Sequence, residues 1–329
     1  MERDIDDGID FKKKQITIYE MLDRYFKTRK FRRNSEDYAY KIMKSMGRYD
    51  FAYRKIEDVT ESDCRKFILE INQDYYDSRV EHTVVAISGA YKLAIKDGLA
   101  RKNPFDFKWR DLLAGKVKEK APLTSDQMER LLNFMRNDTC SAFYVDRVIF
   151  LVETGLRISE FLGLAVEDFD FERRTVQIRR QLLHHDRTYY LASAKTPASE
   201  ATIALSPKAV QSAKNIMEQC GETYPMTDEK GKLYHLFVLS KGHKLTNECA
   251  INIAFSKVCK RYNTVHPDDH IYFTPHILRH TAATRMIKDG VKLPVVRKMI
   301  RHKSIDTTIR RYVTINPDDI VQEIESIYK

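Results

Sequence analysis

The sequence has few cysteines, and none of them stand in a grouping typical of metal sites. The five residues are scattered over 329 positions, without a C-x-x-C pair or a Cys/His spacing: Cys64, Cys140, Cys220, Cys249 and Cys259. This pattern argues against zinc ligation and is typical of the reduced thiols of an intracellular protein.

Long apolar runs are also missing. No stretch approaches the roughly 20 apolar residues that span a bilayer, and the first residues, "MERDIDDGIDFKKK", lack the apolar region of a signal peptide. The P-loop pattern of nucleotide-binding proteins is absent as well. We therefore expect a soluble, cytoplasmic protein with no membrane partner.

Positive charge is abundant. Lys and Arg number 57 against 47 Asp and Glu, which gives a formal net charge of +10. Such a balance suits a polyanionic partner, because Lys and Arg release the counterions condensed on phosphates. A merely soluble basic protein remains the alternative on composition alone. The length exceeds what one hydrophobic core usually serves, so two domains are expected.

The first hundred residues predict a compact domain of four helices over 16–105. The signals are an apolar stripe with Ile18, Leu22 and Phe26, a cap at Ser35, a Thr60/Asp63 capping box, and a fourth helix from about Ser78 to Gly98. Residues 106–121 lack periodicity and predict a linker. Its Lys116, Lys118 and Lys120 suit either a phosphate backbone or simple solvation.

The second domain is predicted over 122–315 as mainly helical with a small antiparallel β-sheet. Thr124 and Gln127 form a capping box, Gly155 ends an apolar helix, and Ser206 begins another helix. Between them, "TVQIRRQLLHHDRTYYLASAKTPASEATIAL" predicts two or three strands. Residues 316–329 predict a terminal helix with an apolar stripe, which closes its own domain or docks on another copy.

Two arginines and a histidine lie where an anion would bind. Thr274 caps a helix with Pro275 in its first turn, so His276 and Arg279 face the same way near the positive helix end. Arg157, in "ETGLRISEFLGL", is expected in an apolar corner beside Glu160. Two arginines in one pocket suit the non-bridging oxygens of a phosphodiester. The alternatives are a surface His–Arg pair and a buried Arg157–Glu160 ion pair.

The motifs resemble, in order, the active site of the tyrosine recombinases, the integrase family. They are "TGLRISE", "AKTPAS", "TPHILRHT", "MIRHKSIDTT" and "IRRYV", which hold Arg157, Lys195, His276, Arg279, His302 and Tyr312. The chain is most similar to integrases of Gram-positive conjugative transposons, from about Ile16 to Lys329. The resemblance implies a two-domain DNA clamp, with a helical core-binding domain before a tyrosine-recombinase catalytic domain.

The resemblance also implies a mechanism. Tyr312 attacks the scissile phosphate to give a 3′-phosphotyrosine, while Arg157 and Arg279 bind its non-bridging oxygens. Lys195 is the candidate general acid, His276 assists proton transfer at Tyr312, and His302 donates a hydrogen bond to the phosphate. No metal, ATP or other small-molecule cofactor is implied. The alternatives are a type IB topoisomerase-like activity and a non-catalytic DNA-binding relative.

The implied partners are double-stranded DNA, as transposon ends and target, and further copies of the chain. The terminal helix is expected to join protomers into a dimer or tetramer on DNA. The basic residues expected to contact DNA are Lys27, Arg29, Lys30, Arg32, Arg33, Lys116, Lys118, Lys120, Arg301 and Lys303.

Two departures from the family pattern stand out. Members usually have Leu-Gly-His where this chain has Ile300-Arg301-His302, so an arginine replaces the usual glycine. Related integrases also carry an amino-terminal domain that binds arm sites, whereas residues 1–15 resemble the linker after it. We expect either a truncated chain or a protein without that domain.

Overall fold

The computed structural model describes residues 16–29, 33–115, 121–185, 187–193 and 201–301, with only the backbone of residues 33–37. The chain divides into two compact units, Met1–Glu119 and Lys120–Lys329. Within the described ranges, no helix combines the length and the apolar character needed to cross a bilayer. The finer boundaries given above for linker and terminal segment stay predictions.

Among its described residues, the first unit is a bundle of four helices. These are α1 (Ile18–Lys27), α2 (Arg33–Met46), α3 (Glu61–Asp74) and α4 (Asp77–Lys96), with short 3-10 helices at Asp50–Tyr53 and Trp109–Leu112. The Thr60/Asp63 capping box is confirmed. The predicted cap at Ser35 is wrong, because α2 already begins at Arg33. Apolar faces of all four helices, including Leu22, Ile42 and Ile68, pack into one core.

The second unit is built around helices that carry the candidate site. They are α5 (Ser125–Asn137), α6 (Val145–Thr154), α7 (Ile158–Leu162), α8 (Pro207–Cys220), α9 (Glu248–Val265), α10 (Pro275–Lys288) and α11 (Leu293–Ile300), with 3-10 helices at Ala142–Tyr144 and Val166–Asp168. The predicted caps at Thr124, Ser206 and Thr274 are confirmed. Gly155 ends α6 with a positive φ of 61°, a conformation that favours glycine.

The described strands of this unit form three small antiparallel sheets, whereas the sequence predicts a single sheet. The strands are β1 (Phe169–Asp170), β2 (Thr175–Ile178), β3 (Arg180–His185), β4 (Thr188–Ser193), β5 (Ala201–Ala204), β6 (Tyr224–Thr227) and β7 (Leu233–Leu236). They pair as β1-β2-β5, β3-β4 and β6-β7. The chain leaves the first sheet between β2 and β3, where Arg180 turns inward to an ion pair with the buried Asp168. The mainly helical fold class is confirmed.

Gly163 fixes how closely the β3–β4 hairpin packs on α7. A Cβ at this position would lie 2.8 Å from the Leu182 backbone nitrogen and 2.9 Å from the Gln181 Cα. Backbone cannot swing aside as a flexible side chain does, so Gly163→Ala must displace the hairpin. We expect the free energy of unfolding to fall by about 1–3 kcal/mol, measured by urea denaturation.

Gly242→Ala is the matched control for that substitution. No atom lies within 4 Å of a Cβ built at Gly242. Both changes reduce the conformational entropy of the unfolded chain similarly, so the difference between the two variants isolates the steric clash. Equal stability of the two variants would show that the hairpin accommodates the methyl group without cost.

Candidate active site

Arg279 lies on α10 and joins the ends of two other helices. Its side chain is only 3% exposed. Nη1 donates to the Gly155 carbonyl at 2.7 Å, and Nη2 donates to the Ile300 carbonyl. The capping geometry that begins α10, with the Thr274 hydroxyl accepting from the Ile277 N–H, sets the position of this first turn and hence of Arg279.

Arg157 lies at the start of α7, directly after the turn that ends α6. Its backbone N–H donates to Glu160 Oε2 at 2.8 Å, and its Nη1 donates to Glu160 Oε1 at 2.7 Å. The predicted ion pair is therefore present, but the expectation of a buried arginine is wrong. The Arg157 side chain is 44% exposed while the Glu160 side chain is 6% exposed, so the guanidinium is accessible to a ligand from solvent.

The last turn of α11 brings these two arginines to one place. The Ile300 carbonyl accepts from Arg279, and the next carbonyl, of Arg301, accepts from Arg157 Nη2 at 3.3 Å. The final carbonyls of a helix have no N–H donor within the helix and carry its partial negative charge, which suits cationic donors. The structure thus brings together Arg157 and Arg279, which the sequence separates by more than a hundred positions.

Arg301, at the position of the family's usual glycine, ends α11 in the left-handed conformation with φ 50° and ψ 51°. Such a backbone explains why glycine is favoured here. The arginine side chain is buried, and its Nη1 donates to the Met299 carbonyl while its Nη2 donates to Glu160 Oε2, both at 2.6 Å. This position argues against the predicted phosphate contact of Arg301, because the guanidinium faces Glu160 inside the protein.

Glu160 is a buried carboxylate held between two guanidinium groups. Burial alone would raise its pKa, but the charges of Arg301 and Arg157 and their hydrogen bonds outweigh burial and lower the pKa below its usual value. Burial lowers the pKa of the Arg301 guanidinium, and Glu160 opposes that change. The carboxylate therefore stays ionised near neutral pH and neutralises only part of the positive charge of Arg157, Arg279 and Arg301.

His276 is exposed on the first turn of α10 and lies against a second histidine that the sequence reading missed. The Nε2 atoms of His276 and His280 are 3.0 Å apart, and their rings meet edge to face. In this contact one imidazole nitrogen donates and the other accepts, according to the tautomers of the two rings. The spacing of four residues on one helix is the signal that could have revealed His280.

The other predicted site residues lie either outside the described part of the chain or in the first unit. Lys195, His302, Tyr312, Lys303, Lys30, Arg32 and the three linker lysines Lys116, Lys118 and Lys120 lie outside the described residues, as does the side chain of Arg33. In the first unit, Lys27 forms an ion pair with Asp23, and Arg29 donates to the Tyr25 hydroxyl at 2.7 Å. Both side chains are exposed at the end of α1, so a DNA contact by either stays a prediction.

Comparison with known proteins identifies the family to which the chain is related. Residues 122–318 match the model of the phage integrase family. The transposase from transposon Tn916 of Enterococcus faecalis is 28% identical over the whole of this chain and 82% of its own length. Tyrosine recombinase XerD of Chlorobaculum tepidum is 27% identical over 77% of each chain.

Solved structures show the same fold. The Tn1549 transposon integrase in complex with a circular intermediate DNA superposes with a TM-score of 0.85 at 26% identity, over 94% of this chain and 99% of that one. A lambda integrase dimer bound to a core site shares the fold, with a TM-score of 0.63 at 16% identity over 92% of this chain and 79% of that one. The fold is that of the tyrosine recombinases. This chain belongs to the phage integrase family.

Proposed function

We propose that this protein is the integrase of a conjugative transposon, with Tyr312 as the nucleophile that forms a 3′-phosphotyrosine with DNA. As a tyrosine recombinase, the chain cleaves and rejoins DNA strands at specific sites. The observation that supports the assignment of its site is the meeting of Arg157 and Arg279 on consecutive carbonyls at the end of α11. His302 follows that helix end directly in the sequence.

The two arginines suit the charge that develops on a phosphodiester under attack. Arg has five N–H donors, so the contacts that the exposed Arg157 guanidinium makes with Glu160 and the Arg301 carbonyl leave further donors for phosphate oxygens. The position of the two arginines is fixed before the substrate arrives, so no reorganisation is needed as negative charge grows on the non-bridging oxygens. A tyrosine hydroxyl has a pKa of about 10 and needs such stabilisation to react near neutral pH.

The proposed reaction balances without an external energy source. The Tyr312 oxygen bonds to phosphorus, the bond from phosphorus to the 5′ oxygen breaks, and Lys195 supplies the proton that the leaving oxygen takes up. His276, beside His280, accepts the proton of Tyr312, and His302 donates a hydrogen bond to the phosphate. The 5′ hydroxyl of another strand then attacks the phosphotyrosine, releases Tyr312 and forms the new phosphodiester.

Double-stranded DNA is the proposed substrate and partner. The Tn1549 integrase, which shares the fold of this chain, has been solved in complex with transposon right end DNA and with circular intermediate DNA. The net positive charge of this chain supports binding to the phosphate backbone. We propose that transposon ends and a target site are bound, with Lys27 and Arg29 among the phosphate contacts of the first unit.

A nicked duplex carrying the transposon end tests this proposal. The nick lets the short piece downstream of the cleavage site diffuse away, so the covalent intermediate accumulates and migrates more slowly in a denaturing gel. Mass spectrometry of the digested adduct should place the nucleotide on Tyr312. Joining of the trapped strand to a second duplex supports recombination, whereas relaxation of supercoiled plasmid without such joining would favour the topoisomerase-like alternative.

Assembly of several copies through residues 316–329 forms the second part of the proposal. This segment carries Ile320, Val321 and Ile324 on one predicted helix face. The second unit has a cavity of about 1010 Å³ with an apolar floor that includes Leu132, Ile149 and Val152. The lining also includes four basic and four acidic residues, so its apolar side chains, rather than its charge, suit the apolar face of the segment. The cavity is therefore a suitable receptor for the terminal helix of a neighbouring copy.

Removal of residues 317–329 should separate assembly from simple DNA binding. We expect the truncated chain to bind a single half-site with unchanged affinity, because the lost segment is acidic and contributes no cation to DNA except Lys329. Formation of dimeric and tetrameric complexes on a full site should be strongly reduced, as measured by gel shift and by light scattering on DNA. Equal losses in both assays would contradict a role in assembly.

A further inference from the structure

Arg157, Glu160 and Arg301 form a closed ring of contacts next to the candidate phosphate site. Arg157 Nη1 lies 2.7 Å from Glu160 Oε1, and Glu160 Oε2 lies 2.6 Å from Arg301 Nη2. The ring closes through the backbone, because the Arg301 carbonyl accepts from Arg157 Nη2 at 3.3 Å. Arg301 is therefore linked to Arg157 in two ways: both guanidinium groups bind Glu160, and the Arg301 carbonyl accepts from Arg157.

Two features of Arg301 oppose folding and call for a compensating role. Its backbone has a positive φ of 50°, which is unfavourable for a residue with a Cβ. Its guanidinium is fully buried, and Nε has no hydrogen-bond partner among the described residues. Glycine at this position would avoid both the backbone strain and the buried charge. The role of Arg301 therefore lies in the contacts of its side chain.

The effect of the ring on Arg157 follows from the geometry of carboxylates. A free carboxylate binds a guanidinium with both oxygens, in two parallel hydrogen bonds. Here Glu160 Oε2 already accepts from Arg301 Nη2 and from the Arg157 backbone N–H at 2.8 Å. The Arg157 side chain is thereby restricted to Oε1, and its remaining N–H donors stay available for a ligand.

We propose that Arg301 is a positioning residue that keeps the Arg157 guanidinium available to the scissile phosphate by occupying the second oxygen of Glu160. The inference rests on the proposed function, since it assumes that Arg157 binds the phosphate. Without the Arg301 side chain, Glu160 Oε2 keeps only the Arg157 backbone N–H, so its second lone pair is free to accept from the Arg157 guanidinium in competition with the phosphate. Arg301 itself does not contact the DNA.

Arg301→Gly is the decisive substitution, because glycine adopts the required backbone conformation without strain. We expect the rate of single-turnover cleavage of the nicked duplex to fall by at least about tenfold, with the Kd for the same duplex within about twofold of the original. Thermal unfolding checks that the variant is folded. A cleavage rate equal to that of the unchanged chain would overturn the proposal, as would a loss of cleavage fully explained by weaker binding.

A second substitution distinguishes positioning from a purely structural role. In the Arg301→Gly background, Glu160→Gln replaces the competing carboxylate by a neutral amide, so cleavage should recover severalfold. A structural role predicts a further loss instead, because another buried contact is removed. Failure of Glu160→Gln to restore any cleavage would therefore overturn the proposal.

The scissile phosphate itself provides a further readout. A methylphosphonate replaces one charged non-bridging oxygen by an uncharged methyl group, which leaves Arg157 less to bind. For the diastereomer that lacks the oxygen bound by Arg157, the ratio of cleavage rates between unchanged chain and Arg301→Gly should fall towards one. An unchanged ratio for both diastereomers would contradict action through Arg157.

The unchanged chain, assayed in parallel, separates this inference from the proposed function. If the unchanged chain forms no phosphotyrosine adduct with the nicked duplex, the proposed function fails. If it forms the adduct and Arg301→Gly forms it at the same rate, only the positioning role of Arg301 fails.

Discussion

Tyr312→Phe is expected to abolish the covalent protein–DNA adduct while leaving the affinity for DNA unchanged. The substitution removes one oxygen, the atom that would bond to phosphorus, and keeps the aromatic ring. No other group is proposed to replace that oxygen as nucleophile, so cleavage should fall below detection rather than slow down. Denaturing gels of the nicked duplex measure the adduct, and gel shift of the intact duplex measures binding.

Tyr224→Phe is the matched control for this experiment. Tyr224 is an exposed tyrosine of β6 in the same unit, and loss of its hydroxyl should leave adduct formation unchanged. An adduct that persists in Tyr312→Phe would show that another residue attacks the phosphate. Loss of both adduct and binding would instead support a structural role for the Tyr312 hydroxyl.

Arg279→Ala should have the second largest effect, on both catalysis and stability. Loss of one preorganised cation at a developing negative charge typically slows such a reaction by about 10²- to 10³-fold. The buried carbonyls of Gly155 and Ile300 also lose their donor, which costs about 1–3 kcal/mol for a buried group left unsatisfied. We therefore expect slower adduct formation together with a lower midpoint of unfolding.

Lys260→Ala serves as the control for the loss of one positive charge. Lys260 is exposed on α9 and lies outside the arginine cluster, so its loss should leave unfolding and cleavage nearly unchanged. The cleavage rate of Arg279→Ala should be measured at a temperature where circular dichroism shows that the variant is folded. This measurement separates the catalytic effect from the loss of stability. A folded Arg279→Ala variant that cleaves at the original rate would contradict the proposed role of Arg279 at the phosphate.

Local signals in the sequence predicted most helix boundaries. A cap and its partner lie within three residues of each other, as for Thr60 with Asp63 and Thr124 with Gln127, so the chemistry of a helix start can be read directly. Ser35 failed because one polar residue without a partner does not specify a boundary. The β6–β7 hairpin was missed because a four-residue strand containing Pro225 has the composition of a turn.

The sequence predicted the local Arg157–Glu160 contact of the candidate site but not its long-range contacts. The order of motifs indicated Arg157 and Arg279, yet nothing periodic relates Arg279 to the Gly155 carbonyl, 124 positions earlier. Likewise, the partner of Arg301 lies 141 positions away at Glu160. Such pairs depend on how α7, α10 and α11 pack together, and one sequence does not contain that information in a local pattern.

Arg157 and Arg279 both donate to carbonyls at the end of α11. Because their acceptors are neighbouring carbonyls of one chain segment, a displacement of the end of α11 would disturb Arg157 and Arg279 simultaneously. Such a displacement would remove one acceptor from each arginine, while Arg279 keeps the Gly155 carbonyl and Arg157 keeps Glu160. In the proposed reaction, a movement of this helix end would therefore weaken both phosphate-binding cations together.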